Sequence, residues 1–206
     1  MTTHDTPPPP PAAPHPAPRR LAWVQAAWPA ALAASLHALG PWASSHLALD
    51  RTLALQGEPW RLLSGHWVHT NTAHLLLNLS GWALLLAAHP AAWRGACRHA
   101  PLTWLWLGAC TGASLAWTFP AVSPYMGLSG LLHGWWLLLA WRAVQQGERA
   151  WGWGSLALLA LKLSSEMAGL SAPQSAEWIG TRVAHEGHLC GALSGLLLAV
   201  MARRQR

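Results

Sequence analysis

The sequence predicts an all-α membrane protein, a bundle of six transmembrane helices, and two observations carry that prediction. Hydrophobic residues make up 52% of the 206-residue chain and charged residues only 10%, against about 25% charged residues in a typical soluble domain. Six apolar runs follow one another between Leu21 and Val200, and at about 20 residues per spanning helix they occupy most of that length. Little sequence remains for a soluble domain.

The predicted elements follow in order. Residues 1–20 begin with a proline-rich stretch and are expected to form a disordered or polyproline-like arm, ahead of a six-helix domain over residues 21–202 and a basic tail over residues 203–206. Residues 40–65 mix charges, prolines and tryptophans, which predicts an amphipathic loop at the membrane interface. The six predicted spans are Leu21–Leu39, about His69–Ala88, about Leu102–Phe119, Gly127–Val144, Trp151 to about Leu163, and His185–Met201.

The arginines indicate how these spans are oriented. Nine arginines fall on one predicted side of the membrane, and only Arg51, Arg61 and Arg182 fall on the other. Because positive charge concentrates in cytoplasmic loops, both termini are expected in the cytoplasm. The net charge of +6 therefore fits membrane topology better than nucleic-acid binding, for which a continuous basic stripe would be expected.

A serine among glycines opens the fourth predicted span. Ser129 follows two prolines and stands at membrane depth near a helix start; taken alone, such a serine usually bonds back to its own helix. Glycines spaced for close helix packing occur in this span and in the last one. If the two stripes meet, Ser129 and His188 lie side by side, as a hydroxyl and a base within hydrogen-bond reach. The candidate packing glycines are Gly127, Gly130, Gly134, Gly187, Gly191 and Gly195.

The second span contributes two further polar residues, His74 and Asn78. Residues four apart lie on one face of a helix, one turn from each other. The pair either holds helices together by hydrogen bonds or, with the backbone N–H of Ser129, supplies the donors that stabilise the oxyanion formed when a serine attacks a carbonyl.

Three motifs in this order resemble the rhomboid intramembrane serine proteases: His74-x-x-x-Asn78, then Gly127-x-Ser129-Gly130, then His188-x-x-Gly191-x-x-x-Gly195. The resemblance covers all six spans. It implies a Ser–His dyad, without an aspartate, that cuts a peptide bond in or near a substrate's transmembrane segment. On this resemblance Ser129 is the nucleophile and His188 the general base, and the oxyanion hole is lined by His74 and Asn78.

One departure from the family pattern makes the chain resemble one subfamily in particular. Where many rhomboids have a tyrosine four residues after the serine, this chain has His133, and the resulting Gly-Leu-Ser-Gly-Leu-Leu-His-Gly is similar to the rhombosortase subfamily. Lys162 with Glu166 in the fifth span is also similar to that group. The two charges either pair on one helix face or act separately, as a snorkelling lysine and an interfacial glutamate.

The subfamily resemblance implies the partners and the location. Rhombosortases process exported bacterial proteins that carry a C-terminal Gly-Gly motif, one transmembrane helix and a short basic end. The expected partners are therefore membrane lipid and such transmembrane substrates, with no nucleic acid, and the expected location is the bacterial inner membrane with the active site toward the periplasm. Glycines suit this chemistry because they lower the cost of unwinding a substrate helix by about 1 kcal/mol per residue relative to alanine.

Several alternatives stay open at this level. His66 and His69 either line a wet outer cavity or lie at the interface, and His185 is expected at a loop end. No metal or other cofactor is expected, because no cysteine or carboxylate cluster completes a site beside the paired histidines. The 16 tryptophans, many at span ends, are expected to form an interfacial belt. The alternative function is a catalytically silent rhomboid-like protein that binds transmembrane helices.

Overall fold

The structure, a computed structural model, describes residues 17–170 and 174–203. Within these ranges the chain forms α-helices and two short 3-10 turns, with no strand, which confirms the all-helical prediction. Most of the proline-rich arm and the last three residues of the basic tail lie outside the described residues. The helices are α1 (Arg19–Ala38), α2 (Pro41–Leu47), α3 (Arg51–Leu55), α4 (Arg61–Ser64), α5 (Thr72–Ala88), α6 (Pro90–Ala96), α7 (Ala100–Thr118), α8 (Ser129–Gln145), α9 (Arg149–Met167), α10 (Gln174–Ile179) and α11 (His185–Arg203).

Six helices of 17 to 20 residues, α1, α5, α7, α8, α9 and α11, coincide with the six predicted spans. The second begins later than predicted because the Asn71 side chain accepts a hydrogen bond from the backbone N–H of His74 and so caps α5. The turn after α5 is itself helical, since Pro90 occupies the first position of α6, where its missing N–H costs nothing.

No described helix taken singly combines the length and the apolar character required of a membrane span. Thr72–Ala88 and Pro90–Thr118 meet the requirement as a pair, and the two are bent by 97° at the break between them.

The core is organised around α8, which packs on α11 through glycine. A Cβ atom added to Gly191 would lie 1.8 Å from the carbonyl oxygen of Gly130, and one added to Gly195 would lie 2.6 Å from that of Gly134. Since no real Cβ approaches a backbone atom so closely, the two helices touch along their backbones, as small-residue stripes allow. This contact sets the distance between the first turns of α8 and α11, where Ser129 and His188 lie.

Not all tryptophans belong to the expected interfacial belt, because several of them lie in the core. Trp82, Trp93, Trp104 and Trp135 are each at most 5% exposed, and their rings contact one another at centroid distances of 5.2 to 5.9 Å. Burying these large rings is strongly favourable, and their tilted and edge-to-face arrangements add to that. Other tryptophans are exposed, as a belt requires: Trp23, Trp42, Trp60, Trp117, Trp151, Trp153 and Trp178.

The loop over residues 40–65 is more ordered than a simple amphipathic segment. Arg61 is only 4% exposed and donates hydrogen bonds to the carbonyl oxygens of Ala48 and Ser45 while pairing with Glu58, so its charge is compensated. Leu49 exchanges both backbone hydrogen bonds with Tyr125. This bridge ties the loop to the segment just before Ser129.

Candidate active site

Ser129 is the first residue of α8, so its backbone N–H has no acceptor within the helix. The preceding loop is held by Tyr125, whose hydroxyl donates to the carbonyl of Gly127 (2.9 Å), accepts from the N–H of Gly130 (3.3 Å) and lies beside the hydroxyl of Ser129. Burial raises the pKa of Tyr125 to about 12, which keeps this hydroxyl neutral. The Ser129 hydroxyl is thereby placed at the edge of a rigid turn.

Gly127 is predicted from sequence as a packing glycine, but it lies in this loop and faces α5. Its φ of +119° favours glycine, and a Cβ there would lie 2.6 Å from Nε2 of His74. The missing side chain therefore brings His74 against the backbone two residues before Ser129. The other packing glycines, Gly130 and Gly134 of α8 and Gly187, Gly191 and Gly195 of α11, all lie in or beside the α8–α11 contact.

His188 lies in the first turn of α11 and is 5% exposed. Its imidazole stacks on that of His133, with ring centroids 4.1 Å apart and ring planes tilted by only 13°. His133 donates from Nδ1 to the carbonyl oxygen of Ser129 at 2.7 Å. The aromatic residue four positions after the serine thus supports one face of the His188 ring and joins it to the first turn of α8.

Glu166 of α9 contacts His188 directly, which was not predicted from sequence. Its Oε2 lies 2.9 Å from Nδ1 of His188, and the other carboxylate oxygen, Oε1, accepts a hydrogen bond from the ammonium group of Lys162. Glu166 is 9% exposed, so its charge is buried, and a buried carboxylate requires a partner of this kind. Lys162 and Glu166 therefore pair across one turn of α9, and the same carboxylate also contacts His188.

His74 and Asn78 lie on the opposite side of Ser129, on one face of α5. Both are buried, and the Asn78 amide donates to the carbonyl oxygen of His74 at 3.2 Å. Nδ1 of His74 lies 3.1 Å from the hydroxyl of Thr70, which donates to the carbonyl oxygen of Ile179 at 2.8 Å. Thr70 was not singled out from sequence, because an isolated threonine before a span carries no signal.

A cavity of about 610 Å³ opens between α5, α8 and α9. Its walls are largely leucine, glycine, alanine and tryptophan, and it reaches Ser129, His188 and Asn78 at one end. A smaller cavity of about 290 Å³ reaches Ser129 and His74 from the other side. No hydrogen bond joins the Ser129 hydroxyl to His188 within the described ranges; in substrate-free enzymes such pairs are often long and tighten only in the complex.

The structure also shows where the remaining candidate histidines lie. His66 is fully buried and lies 3.1 Å from the carbonyl of Gly108 through Nε2, so it is a core residue rather than the lining of a wet cavity. His69 is also buried, and its ring lies 5.0 Å from that of His74. His185 begins α11, with its ring 5.8 Å from that of His188.

His133, Glu166 and His188 each offer a metal-ligating atom within 4.8 Å of the others, but the geometry is not that of a metal centre. An imidazole binds a metal in the plane of its ring, and two rings stacked 4.1 Å apart at a tilt of 13° share no nearby point in both planes. The Glu166 carboxylate already holds the Lys162 ammonium, whose positive charge opposes a second cation.

Fold and site together define an all-helical protein with a serine and a histidine on two helices in glycine contact, both facing an apolar cavity. The rhomboid domain family model matches residues 56–205, nearly three quarters of the chain. The chain belongs to the rhomboid family, whose members are membrane proteins and intramembrane serine proteases. A comparison with curated proteins finds no match.

Proposed function

We propose that this rhomboid-family chain is an active intramembrane serine protease, a six-span protein of the bacterial inner membrane. Ser129 attacks the substrate carbonyl, His188 takes the serine proton and returns it to the leaving amine, and water resolves the acyl-enzyme. The observation that carries the proposal is the position of Ser129 and His188 on two helices held in backbone contact by glycine, both lining the same apolar cavity. No cofactor is needed for this chemistry.

The surroundings of Ser129 support an oxyanion hole. A tetrahedral intermediate requires preorganised donors near the developing negative charge. The backbone N–H of Ser129 is unused by its helix, Asn78 lines the same cavity as Ser129, and His74 packs against Gly127. We assign the Ser129 N–H and the Asn78 amide to the oxyanion hole as donors, with His74 as part of its wall, where it can donate only when its ring proton is on Nε2.

The large cavity supports a substrate that arrives as a membrane segment. Its walls combine side chains of α5 such as Leu77 and Leu84, side chains of α9 such as Leu158, and glycines at Gly81 and Gly154. An apolar groove of this kind accommodates an apolar helix or extended strand, whereas a soluble peptide with charged side chains would lose hydration there. A substrate segment lying in the groove would present a backbone carbonyl to Ser129 at its end.

We further propose that the substrates are exported proteins with C-terminal Gly-Gly tails, as in rhombosortases. The supporting observation is His133, which stands four residues after the serine and stacks on His188, together with the Lys162–Glu166 pair. Two glycines at the scissile position make the substrate helix about 2 kcal/mol easier to unwind than two alanines, which corresponds to a rate advantage of about 30-fold when unwinding limits the reaction.

The test is labelling of purified, detergent-folded protein with a fluorophosphonate, which reacts with activated serines, alongside Ser129→Ala and His188→Ala. Labelling of the wild type that is lost in both variants supports the protease. A folded wild type that neither labels nor cleaves any membrane reporter would instead favour the catalytically silent, helix-binding alternative. The substrate proposal is tested separately with a reporter that carries a Gly-Gly tail and a matched Ala-Ala version; equal cleavage of both reporters would contradict it.

A further inference from the structure

The family pattern requires only a serine and a histidine, yet the histidine here has a third partner. Glu166 and His188 come from different helices, α9 and α11, and meet at 2.9 Å between Oε2 and Nδ1. Both side chains are at least nine-tenths buried. A buried carboxylate costs free energy unless it is paired and hydrogen-bonded, so this contact is not a solvent-exposed coincidence of two surface groups.

The contact fixes the proton on a defined nitrogen of the imidazole. An ionised carboxylate only accepts hydrogen bonds, so Nδ1 of His188 must carry the proton that lies between it and Glu166. In the neutral ring Nε2 is then the unprotonated nitrogen, which is the one a general base needs. A carboxylate that holds a catalytic imidazole in this tautomer is the third member of serine-protease triads.

Resting on the function proposed above, we infer that Glu166 is a positioning residue that turns the Ser129–His188 dyad into a Ser–His–Glu arrangement. When the Ser129 oxygen bonds to the substrate carbonyl carbon, the serine proton passes to Nε2 of His188 and the carbonyl electron pair moves to the oxygen. Glu166 stays ionised and stabilises the imidazolium. As the C–N bond of the tetrahedral intermediate breaks, the same proton leaves Nε2 for the amine.

Lys162 completes the arrangement from the far side of the carboxylate. Its ammonium donates to Oε1 of Glu166, while His188 takes Oε2. The lysine is about one-third exposed and lines the cavity, and its positive charge compensates the buried negative charge of Glu166. An ammonium has hydrogen-bond donors only, so the residue at position 166 must turn an acceptor atom toward Lys162.

This last property gives a sharp test with Glu166→Gln. Lys162 requires the oxygen of the new side-chain amide on its side, which turns the amide NH₂ toward His188. The NH₂ then donates to Nδ1, the ring proton moves to Nε2, and His188 can no longer accept the proton of Ser129. We expect kcat to fall by about 10²- to 10⁴-fold, as when a triad carboxylate becomes a carboxamide, with KM and the thermal unfolding midpoint close to wild type.

Two further variants separate positioning from mere structural support. In Glu166→Ala the imidazole is free to choose its tautomer, so activity should equal or exceed that of Glu166→Gln even though the smaller side chain lowers stability. In the double variant Lys162→Met/Glu166→Gln no ammonium holds the amide oxygen, so the amide can turn that oxygen to His188. We expect kcat to recover at least about tenfold over Glu166→Gln alone, which is the effect of removing one hydrogen bond, the one between Lys162 and the amide oxygen.

The matched control is Glu186→Gln, which breaks a similar i,i+4 pair with Arg182 that does not touch His188. Its activity should stay near wild type.

The measurements are kcat and KM for a cleaved reporter, the rate of fluorophosphonate labelling at Ser129, and the unfolding midpoint of each variant in the same detergent. Activity that simply follows stability, with Glu166→Gln above Glu166→Ala in both, would overturn the inference while leaving the protease intact. A fully active Glu166→Gln would do the same. A folded wild type without Ser129 labelling or cleavage would remove the proposed function, and the inference with it.

Discussion

The hydroxyl of Thr70 lies 3.1 Å from Nδ1 of His74 and donates its own proton to the carbonyl of Ile179. A hydroxyl has one proton, so in this arrangement it accepts from His74, and the ring proton of His74 sits on Nδ1. Nε2, which faces Gly127 beside the serine, then carries the lone pair and cannot donate to an oxyanion. The contact between α10 and the start of α5 therefore sets the state of one proposed oxyanion donor.

Replacing Thr70 with valine should release this constraint. With no acceptor at Nδ1, the proton of His74 can move to Nε2, and one hydrogen bond of about 1 kcal/mol corresponds to a gain of up to about fivefold in the labelling rate of Ser129. Thr70→Ser keeps the hydroxyl and should label at the wild-type rate. A slower rate in Thr70→Val at unchanged stability would show that His74 works in its present tautomer.

Adding one methyl group at Gly191 should separate the two helices that carry the site. The Cβ of Gly191→Ala would lie 1.8 Å from a backbone oxygen of α8, and a backbone atom cannot move aside as a side chain can, so the cost should be at least the roughly 1–3 kcal/mol typical of overpacking. We expect a lower unfolding midpoint in detergent and a loss of Ser129 labelling. The control for stability is Gly154→Ala in α9, a position that also lines the substrate cavity but where a Cβ meets nothing within 4 Å; its unfolding midpoint should stay the same or rise slightly, and an equal drop in the two midpoints would contradict the glycine contact.

The stacked ring of His133 should matter more for its shape than for its nitrogens. His133→Phe keeps an aromatic ring against His188, whereas His133→Ala removes it, and such pairs contribute about 0.5–1.5 kcal/mol, or roughly 2- to 13-fold. We expect kcat near wild type for phenylalanine and reduced by that factor for alanine. If phenylalanine is as impaired as alanine, the hydrogen bond from His133 to the Ser129 carbonyl is what counts.

Acid should destabilise the protein partly through His66, which lies in the loop between α4 and α5. Burial lowers the pKa of His66 from 6.5 to about 4, so between these values the unfolded chain binds the proton and the folded chain does not. Stability from this group is therefore complete above pH 6.5 and is lost as pH falls, by about 2 kcal/mol between pH 7 and pH 5. His66→Gln keeps a donor for Gly108 but cannot titrate, so its unfolding midpoint should fall less over that range; parallel curves for both proteins would refute this assignment.

Short-range patterns were sufficient to predict the helices. The apolar runs anticipated the six long helices to within a few residues, because length and composition are properties of each run by itself. The spacing of Gly130 and Gly134 pointed to a close helix contact for the same reason. Where the Asn71 side chain caps α5, the start of that helix moved from about His69 to Thr72.

The contact between Glu166 and His188 could not be predicted from the sequence. Glu166 precedes His188 by 22 residues, and only the packing of α9 against α8 and α11 decides whether that carboxylate reaches the imidazole or faces lipid. Lys162 and Glu166 one turn apart were compatible with either outcome. The buried tryptophans were misjudged as well: Trp135 lies in the middle of the fourth predicted span, away from both membrane interfaces, and was still counted with the interfacial belt.

The cluster of Trp82, Trp93, Trp104 and Trp135 gives the protein a built-in optical signature. Indole rings at centroid distances below 6 Å are close enough to couple their excited states and to pass excitation among themselves before emission. Near-ultraviolet circular dichroism will therefore be dominated by the interior of the bundle and not by the exposed tryptophans, which rotate more freely. Separation of α5, α7 and α8 can be followed from this signal without attaching a dye.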